Sequence, residues 1–294
     1  MPITLLIHGG SGTIREEDRE NYQAGLAEAR DAAFTLLASG SSALDAVLKA
    51  VTTMEDNPRA FNAGTGGSPA SSGTVECDAA LMLSDGSCGA VAGLTKAKNP
   101  ILVADKVRTE TPHVMFVGAG ADALVDTPID NDALLTERTR AALKRWREKN
   151  SGPVGTATVG AVALDESGRL AAATSTGGVL GKWAGRVGDS PLVGVGTYCN
   201  EQVAISCTGK GEAFMKAATA KEVAMRLAFG EDLEAAVKWA LENVKNFDGT
   251  GGLICLTAEG KICAGFNAPH MAYAWKTEQG EDARVALEPT LFTT

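Results

Sequence analysis

The chain has 294 residues, and 45% of them are hydrophobic, which is enough to bury a sizeable core. Its formal net charge is −9 and its sequence has no block of lysine or arginine, which excludes nucleic acid and anionic membrane surfaces as main partners. The apolar run at residues 3–7 is too short for a signal-peptide core or a membrane span, so we expect a cytoplasmic protein.

In chain order, the first half combines strands and helices. The predicted elements are a strand at 2–8, a helix at 16–39, a helix capped by Ser41 or Ser42, strands at 75–83 and 88–93, a helix at 100–109, a strand at 113–117 and a charged helix at 131–150. The sequence HGGSG at 8–12 predicts a glycine loop, either a phosphate-binding nest or a packed turn. GAGADA at 118–123 fits a dinucleotide fingerprint only loosely, because a turn-like sequence follows it.

The second half is organised around a predicted hairpin at residues 155–178. Its turn is DESG at 165–168, which places Thr158 and Thr176 at one rim, within reach of a shared site. The elements predicted after it are strands at 193–199 and 203–207, helices at 212–229 and 233–244, and strands at 253–257, 262–266 and 271–276. Helices grouped between antiparallel hairpins favour a layered α+β fold over regular βαβ alternation.

The rim threonines suggest nucleophilic chemistry. A threonine hydroxyl needs a base beside it, and its own α-amine serves only when the threonine begins a chain. Thr158 is internal, but a linker-like SGP at 151–153 precedes it, and cleavage between Ala157 and Thr158 would expose the amine. The six cysteines form no CxxC pair and the three histidines lack metal-ligand spacing, so we expect free thiols and structural histidines.

Four motifs carry a family resemblance. They are TVGAVALD at 158–165, TSTGG at 174–178, GRVGDSP at 185–191 and CTGKGE at 207–212. Their order and spacing resemble the plant-type asparaginase and isoaspartyl peptidase family of N-terminal nucleophile hydrolases. HGGSG, FNAGTGG and VECDAALM extend the resemblance over nearly the whole chain.

The resemblance implies a single domain over residues 1–294, built as a four-layer αββα sandwich of the N-terminal nucleophile hydrolase type. It also implies self-cleavage into an α subunit, 1–157, and a β subunit, 158–294, which assemble as a homodimer of processed units. The expected substrates are small molecules, L-asparagine and β-aspartyl dipeptides, with no cofactor required and no nucleic-acid or membrane partner.

The resemblance also assigns roles to particular residues. Thr158 resembles the nucleophile, Thr176 its orienting partner, Arg186 the ligand of the substrate α-carboxylate, Asp189 the ligand of its α-ammonium, Thr208 and Gly209 the oxyanion donors, Gly211 a substrate-lining residue, and Asn62 the group that steadies the amine. A structural sodium ion is implied on backbone carbonyls of Met54, Glu55, Asn57, Phe61, Ala63 and Thr65.

Three features depart from the family pattern. Ala157 stands where many members have aspartate or glycine, Lys210 replaces a smaller residue, and the segment 125–157 is short. Two alternatives therefore stay open at this point. One is a glycosylasparaginase with the same fold, and the other is an unprocessed protein that binds an amino acid without turnover.

Overall fold

The structure is a computed structural model that describes residues 2–149 and 158–293. It is a mixed α/β protein. The strands are β1 (Thr4–Gly12), β2 (Cys77–Leu83), β3 (Cys88–Leu94), β4 (Met115–Val117), β5 (Val159–Leu164), β6 (Leu170–Thr176), β7 (Thr197–Cys199), β8 (Val203–Gly209), β9 (Gly251–Thr257), β10 (Ile262–Phe266), β11 (His270–Thr277), β12 (Glu281–Ala286) and β13 (Thr290–Thr293). The helices are α1 (Arg19–Ala38), α2 (Ala43–Glu55), α3 (Pro100–Glu110), α4 (Ala119–Asp122), α5 (Glu137–Lys149), α6 (Gly211–Ala217), α7 (Thr219–Ala228) and α8 (Leu233–Asn246).

The strands form two sheets. The larger has the order β12-β11-β1-β5-β6-β2-β3-β4, and the smaller has the order β13-β10-β9-β8-β7. β5 and β6 pair antiparallel with Val159 opposite Ser175, as the hairpin predicted. β5 therefore lies inside the larger sheet, between β1 and β6, and the chain enters it at Thr158.

Three large apolar clusters and a small one around Val75 hold these elements together. In the first, α1, α2 and α3 cover one face of the larger sheet, with Leu26 fully buried between helix and strand. A second cluster joins the two sheets, bringing Leu6 of β1 together with Ile254 of β9. In the third, Phe214 and Val237 pack α6 and α8 against the smaller sheet. Burial of these side chains is the main contribution to stability.

Local sequence explains several element boundaries. Ser42 begins α2 with a capping box, in which its hydroxyl accepts from the Asp45 amide at 3.2 Å and the Asp45 carboxylate accepts from the Ser42 amide at 3.0 Å. Pro100 occupies the first turn of α3, where its missing N–H costs nothing. Both boundaries agree with the predicted helices.

Some predicted elements need correction. HGGSG belongs to β1, which runs to Gly12 with a bulge between His8 and Gly10, so it is not a loop. The predicted helix at 212–229 is two helices, α6 and α7, because Ala218 adopts the left-handed conformation with φ 49°. The predicted helix at 131–150 begins as a 3₁₀ turn over Asn131–Leu134 and resumes at Glu137.

Three further observations concern predictions made from the sequence. GAGADA leads only into the four-residue helix α4, which does not fit a dinucleotide fold. Across residues 2–149 and 158–293, no helix combines the length and apolar character needed to cross a membrane. All six cysteines are unbonded, and five are buried.

Candidate active site

The predicted threonine pair meets at the end of the β5–β6 hairpin. Thr158 donates its hydroxyl hydrogen to Thr176 Oγ1 across 3.2 Å, and Thr176 Oγ1 also accepts from the Gly178 amide at 3.0 Å. Both threonines are nearly buried, with 5% and 3% of their surface exposed. The Thr158 hydroxyl is therefore held in one orientation at the edge of a small cavity.

A chain of buried hydrogen bonds fixes the backbone of Thr158 from below. His8 Nδ1 lies 3.0 Å from the Thr158 carbonyl oxygen, and His8 Nε2 lies 2.9 Å from Ser206 Oγ. A carbonyl only accepts, so Nδ1 carries the proton and Nε2 accepts from the Ser206 hydroxyl. Thr174 Oγ1, 2.7 Å from Ser206 Oγ, then donates to it. Burial lowers the pKa of His8 to about 3, so the ring stays neutral at physiological pH.

Gly160 makes room for this chain. A Cβ atom at this position would overlap Ser206 Oγ and His8 Nε2. Gly160 lies on β5 opposite both His8 of β1 and Thr174 of β6, so three neighbouring strands converge here. The glycine in TVGAVALD thus permits the contact between the two sheets directly beneath Thr158.

The predicted oxyanion donors are the last two residues of β8. Gly209 lines the same cavity as Thr158, and Thr208 precedes it at the end of β8. The Ser11 amide donates to Thr208 Oγ1 at 3.3 Å, and the Ser11 hydroxyl donates to the Thr208 carbonyl at 3.0 Å. The Thr208 hydroxyl therefore keeps its own hydrogen for another acceptor.

The same cavity contains the predicted head-group ligands. Its lining comprises Thr158, Thr176, Gly178, Val179, Arg186, Gly188, Asp189, Ser190 and Gly209. Asp189 is 4% exposed and its Oδ2 has no hydrogen-bond partner among the described residues. Burial raises the pKa of Asp189 to about 7. A buried, unpaired carboxyl oxygen is a suitable acceptor for an ammonium group.

Gly211 and Glu212 complete this pocket. A Cβ atom on Gly211 would lie 2.8 Å from Asp189 Oδ1 and 3.0 Å from Arg186 Nη2, so only glycine fits behind both groups. Arg186 donates through Nε and Nη2 to one oxygen of Glu212, each at 2.9 Å. The Glu212 side chain is 52% exposed, and a substrate carboxylate can replace it on the guanidinium.

The chain is similar to known proteins along nearly its whole length. The model of the family described as asparaginase matches residues 1–285, nearly the whole chain. The chain belongs to the asparaginase family. It is 39% identical over 307 residues to the plant-type L-asparaginase of Pyrococcus horikoshii, covering 97% of this chain and 100% of that protein.

Two other relatives in the asparaginase family carry different names. The isoaspartyl peptidase of Escherichia coli is 39% identical over 297 residues, covering 92% of each chain. The isoaspartyl peptidase/L-asparaginase of Danio rerio is 37% identical over 295 residues, covering 96% of this chain and 94% of that protein. The names of these relatives span two amide substrates.

Asn62 lies beside the cavity rather than in its described lining. Its amide nitrogen donates to the Gly178 carbonyl at 2.7 Å and its oxygen accepts from the Ser68 amide at 2.6 Å. Gly178 also contacts Thr176, so Asn62 is one residue removed from the threonine pair through these bonds. The predicted cleavage residue Ala157 lies outside the described residues.

The sodium prediction for this asparaginase-family chain rests on a loop whose carbonyls are partly engaged. The carbonyl of Phe61 accepts from Arg138 Nη2 at 2.6 Å, that of Glu55 from the Thr65 amide at 2.8 Å, and that of Met54 from the Asn57 amide at 3.2 Å. One of these donors is already a cation. Each of these carbonyl oxygens has a second lone pair, so these hydrogen bonds leave the sodium site a prediction.

The side chains around that loop give no further metal site. Within the described part of the chain, no group of three His, Cys, Asp or Glu residues is placed to hold a metal. Lys210, which departs from the family pattern, turns away and donates to the Asp248 carbonyl at 2.9 Å. It is therefore not a ligand in the head-group pocket.

The sequence did not reveal which further residues hold Thr158 and Arg186 in place. His8, Ser206 and Glu212 were not assigned roles, although His8 and Ser206 hold Thr158 and Glu212 occupies Arg186. Two local signals pointed towards them. One is the polar histidine at the end of an apolar run, and the other is the glutamate that closes CTGKGE.

Proposed function

We propose that this protein is a threonine amidohydrolase that cleaves β-aspartyl dipeptides and L-asparagine. The observation that carries the proposal is the Thr158–Thr176 hydroxyl pair in one cavity with Arg186 and Asp189. Those two charged groups suit the carboxylate and ammonium of a free amino-acid head group. The relatives named L-asparaginase and isoaspartyl peptidase support both substrates.

The chemistry begins once Thr158 has a free α-amine. With a pKa of about 7.7 to 8.0, this amine accepts the hydroxyl proton while Oγ1 attacks the β-carbonyl of the substrate. The C–N bond of the substrate then breaks, its nitrogen takes that proton from the Thr158 α-ammonium and departs as ammonia or as the released amino acid, and an aspartyl ester remains on Thr158. Water hydrolyses the ester, releasing aspartate and restoring the hydroxyl.

The surrounding residues each assist one part of this sequence. Thr208 and Gly209 donate to the oxyanion, a contribution of about 2.7–4 kcal/mol for a donor of this kind. Thr176 orients the attacking oxygen, and His8 keeps the Thr158 carbonyl from turning into the cavity. Asn62 stabilises the adjacent backbone through Gly178.

Processing and assembly form part of the same proposal. We place the cleavage between Ala157 and Thr158, giving subunits 1–157 and 158–294 within one domain. The helix–sheet–sheet–helix order of the apolar clusters supports the four-layer sandwich of the N-terminal nucleophile hydrolases. A cytoplasmic location, a homodimer of processed units, a structural sodium ion on the 54–65 loop and no required cofactor remain predictions.

Two measurements test the proposal. Mass spectrometry of the purified protein is expected to show two fragments divided before Thr158. Assays are expected to show ammonia released from L-asparagine and free aspartate from a β-aspartyl dipeptide. A protein that stays intact on long incubation and hydrolyses neither substrate would contradict the proposal.

Variants of Thr158 separate the remaining alternatives. Thr158→Ala is expected to abolish hydrolysis, whereas Thr158→Ser keeps a hydroxyl and retains measurable activity. Calorimetry with L-aspartate that shows binding to an intact, inactive wild-type protein would instead support an amino-acid-binding protein. Release of aspartate from a glycosylated asparagine in preference to both other substrates would support a glycosylasparaginase.

A further inference from the structure

A second, larger cavity lies beside the candidate active site. Its volume is about 520 Å³, within the range of small-molecule binding sites. Its described lining is Gly10, Ser11, Gly12, Thr13, Ile14, Tyr22, Asn62, Ser68, Arg138, Thr250 and Pro269. The lining is rich in hydroxyl and amide groups, so this cavity suits a polar ligand.

The cavity is connected to the reacting groups through two of its lining residues. Ser11 contacts Thr208, the expected oxyanion donor, through its amide at 3.3 Å. Asn62 contacts the carbonyl of Gly178, which itself lines the head-group pocket. The two cavities share none of their described lining residues. They are therefore separate spaces, linked by the contacts of Ser11 with Thr208 and of Asn62 with Gly178.

The two cavities also differ greatly in size. The head-group pocket has a volume of about 10 Å³, close to the room needed by a single water molecule. This pocket serves the α-carboxylate and α-ammonium of the substrate, and ammonia, the leaving group of L-asparagine, needs little space of its own. The leaving group of a β-aspartyl dipeptide is a whole amino acid with a free carboxylate, and it requires a second space next to the scissile bond.

Arg138 places a cation at this second cavity. Its Nη2 donates to the carbonyls of Phe61 at 2.6 Å and Gly66 at 3.1 Å, which holds the guanidinium in place. None of the ion pairs found among the described residues involves Arg138, and its Nε is buried without a hydrogen-bond partner. Burial lowers the pKa of Arg138. The nearby Asp18 carboxylate acts electrostatically on Arg138 but forms its ion pair with Arg15, so the Arg138 guanidinium can still pair with an incoming anion.

We propose that the larger cavity is the leaving-group subsite and that Arg138 binds the free carboxylate of the amino acid released from a β-aspartyl dipeptide. This inference rests on the proposed hydrolase function and names the substrate that the second space serves. The guanidinium is held by two neutral carbonyls, so its charge remains available to the ligand.

The test compares two substrates that differ only in this carboxylate. One is a β-aspartyl dipeptide with a free C-terminus, and the other is the same dipeptide with a C-terminal carboxamide. Arg138→Gln also changes the loop that carries Asn62, but this change affects both substrates and cancels in the ratio of their kcat/KM values. The ratio of acid to amide is expected to fall roughly tenfold to a hundredfold, as for loss of a charged hydrogen bond.

Arg147 provides a matched control on the same helix. It donates to the Ser71 carbonyl at 3.2 Å and lies outside the described lining of the cavity. Arg147→Gln removes the same charge from α5, so it is expected to leave the acid-to-amide ratio unchanged. Arg138→Lys keeps a cation and is expected to restore part of the ratio.

Several results would overturn the inference. An acid-to-amide ratio near one in the wild-type protein, or a ratio that Arg138→Gln leaves unchanged, means that Arg138 does not recognise the carboxylate. An equal fall in the ratio with Arg147→Gln assigns the effect to overall charge. Hydrolysis of L-asparagine is measured in parallel, because its absence in the wild type would contradict the hydrolase function itself.

Discussion

The two regions next to Thr158 differ in whether their buried polar groups have hydrogen-bond partners. Beneath it, His8, Ser206 and Thr174 form a buried chain in which each link has a partner of suitable geometry. Above it, the head-group pocket keeps Asp189 Oδ2 buried without a hydrogen-bond partner among residues 2–149 and 158–293. Buried polar groups are normally satisfied, and an unpaired one costs free energy. The chain of His8, Ser206 and Thr174 therefore holds Thr158 in position, and the head-group pocket offers a buried acceptor to a ligand.

The strongest test of this contrast is Asp189→Asn. The variant keeps the shape of the side chain but loses the charge that pairs with the substrate ammonium, so kcat/KM for L-asparagine is expected to fall roughly a hundredfold to a thousandfold. The melting temperature is expected to stay the same or rise, because burial already disfavours this carboxylate. A lower melting temperature together with an unchanged kcat/KM would show that Asp189 stabilises the fold and does not bind the substrate.

The opposite outcome is expected for Gly160→Ala. The added methyl overlaps Ser206 Oγ and His8 Nε2, so the variant is expected to lose about 2–4 kcal/mol of unfolding free energy in chemical denaturation. Gly120→Ala is the control, because the nearest atom to its Cβ is 3.8 Å away and its stability is expected to change by less than about 1 kcal/mol. Equal effects at both glycines would contradict the tight contact.

Ligand binding in the head-group pocket is expected to depend on pH through the protonation of Asp189. Its pKa is raised from the model-compound value of 3.8 to about 7, so the carboxyl group is ionised above pH 7 and progressively neutral below it. The dissociation constant of L-aspartate, measured by calorimetry, is expected to increase up to about tenfold for each pH unit below 7. In Asp189→Asn this dependence is expected to disappear. A flat profile in the wild-type protein would show that another group binds the ammonium.

The smallest expected effect concerns Glu212. Its carboxylate occupies Arg186 from an exposed position, and exposed ion pairs contribute about 0.2–1 kcal/mol. Glu212→Gln is therefore expected to lower KM for L-asparagine by at most about fivefold. Glu222→Gln is the control, since Glu222 pairs with Arg226 on the outer helix α7. A higher KM in Glu212→Gln would mean that Glu212 aids binding instead of competing with it.

The sequence predicted the parts of the fold and site that depend on nearby residues. The DESG turn sets the register of β5 and β6, and this register brings Thr158 to Thr176. The capping residues of α2 were also visible, because both partners lie within one helical turn. Short-range geometry leaves few alternatives in such cases.

Contacts between distant segments could not be predicted in the same way. His8 and Ser206 are 198 residues apart, and their hydrogen bond depends on how the two sheets pack. Arg138 reaches Phe61 across 77 residues for the same reason. The helix break at Ala218 has no glycine or proline to mark it, and the edge strands β12 and β13 each have no more than two consecutive apolar residues. Tertiary packing decided each of them.

The strand order of the larger sheet bears on the fate of a chain cut before Thr158. The fragment 1–157 would supply β1 and the block β2-β3-β4, and the fragment 158–294 would supply β12-β11 and the pair β5-β6. These blocks alternate across the sheet, so strands of the two fragments are hydrogen-bonded neighbours at three places. Separating the fragments would break the backbone hydrogen bonds of three strand pairs, which are β11–β1, β1–β5 and β6–β2. Cleavage before Thr158 would create a new N-terminus, while the shared sheet would keep the two fragments associated.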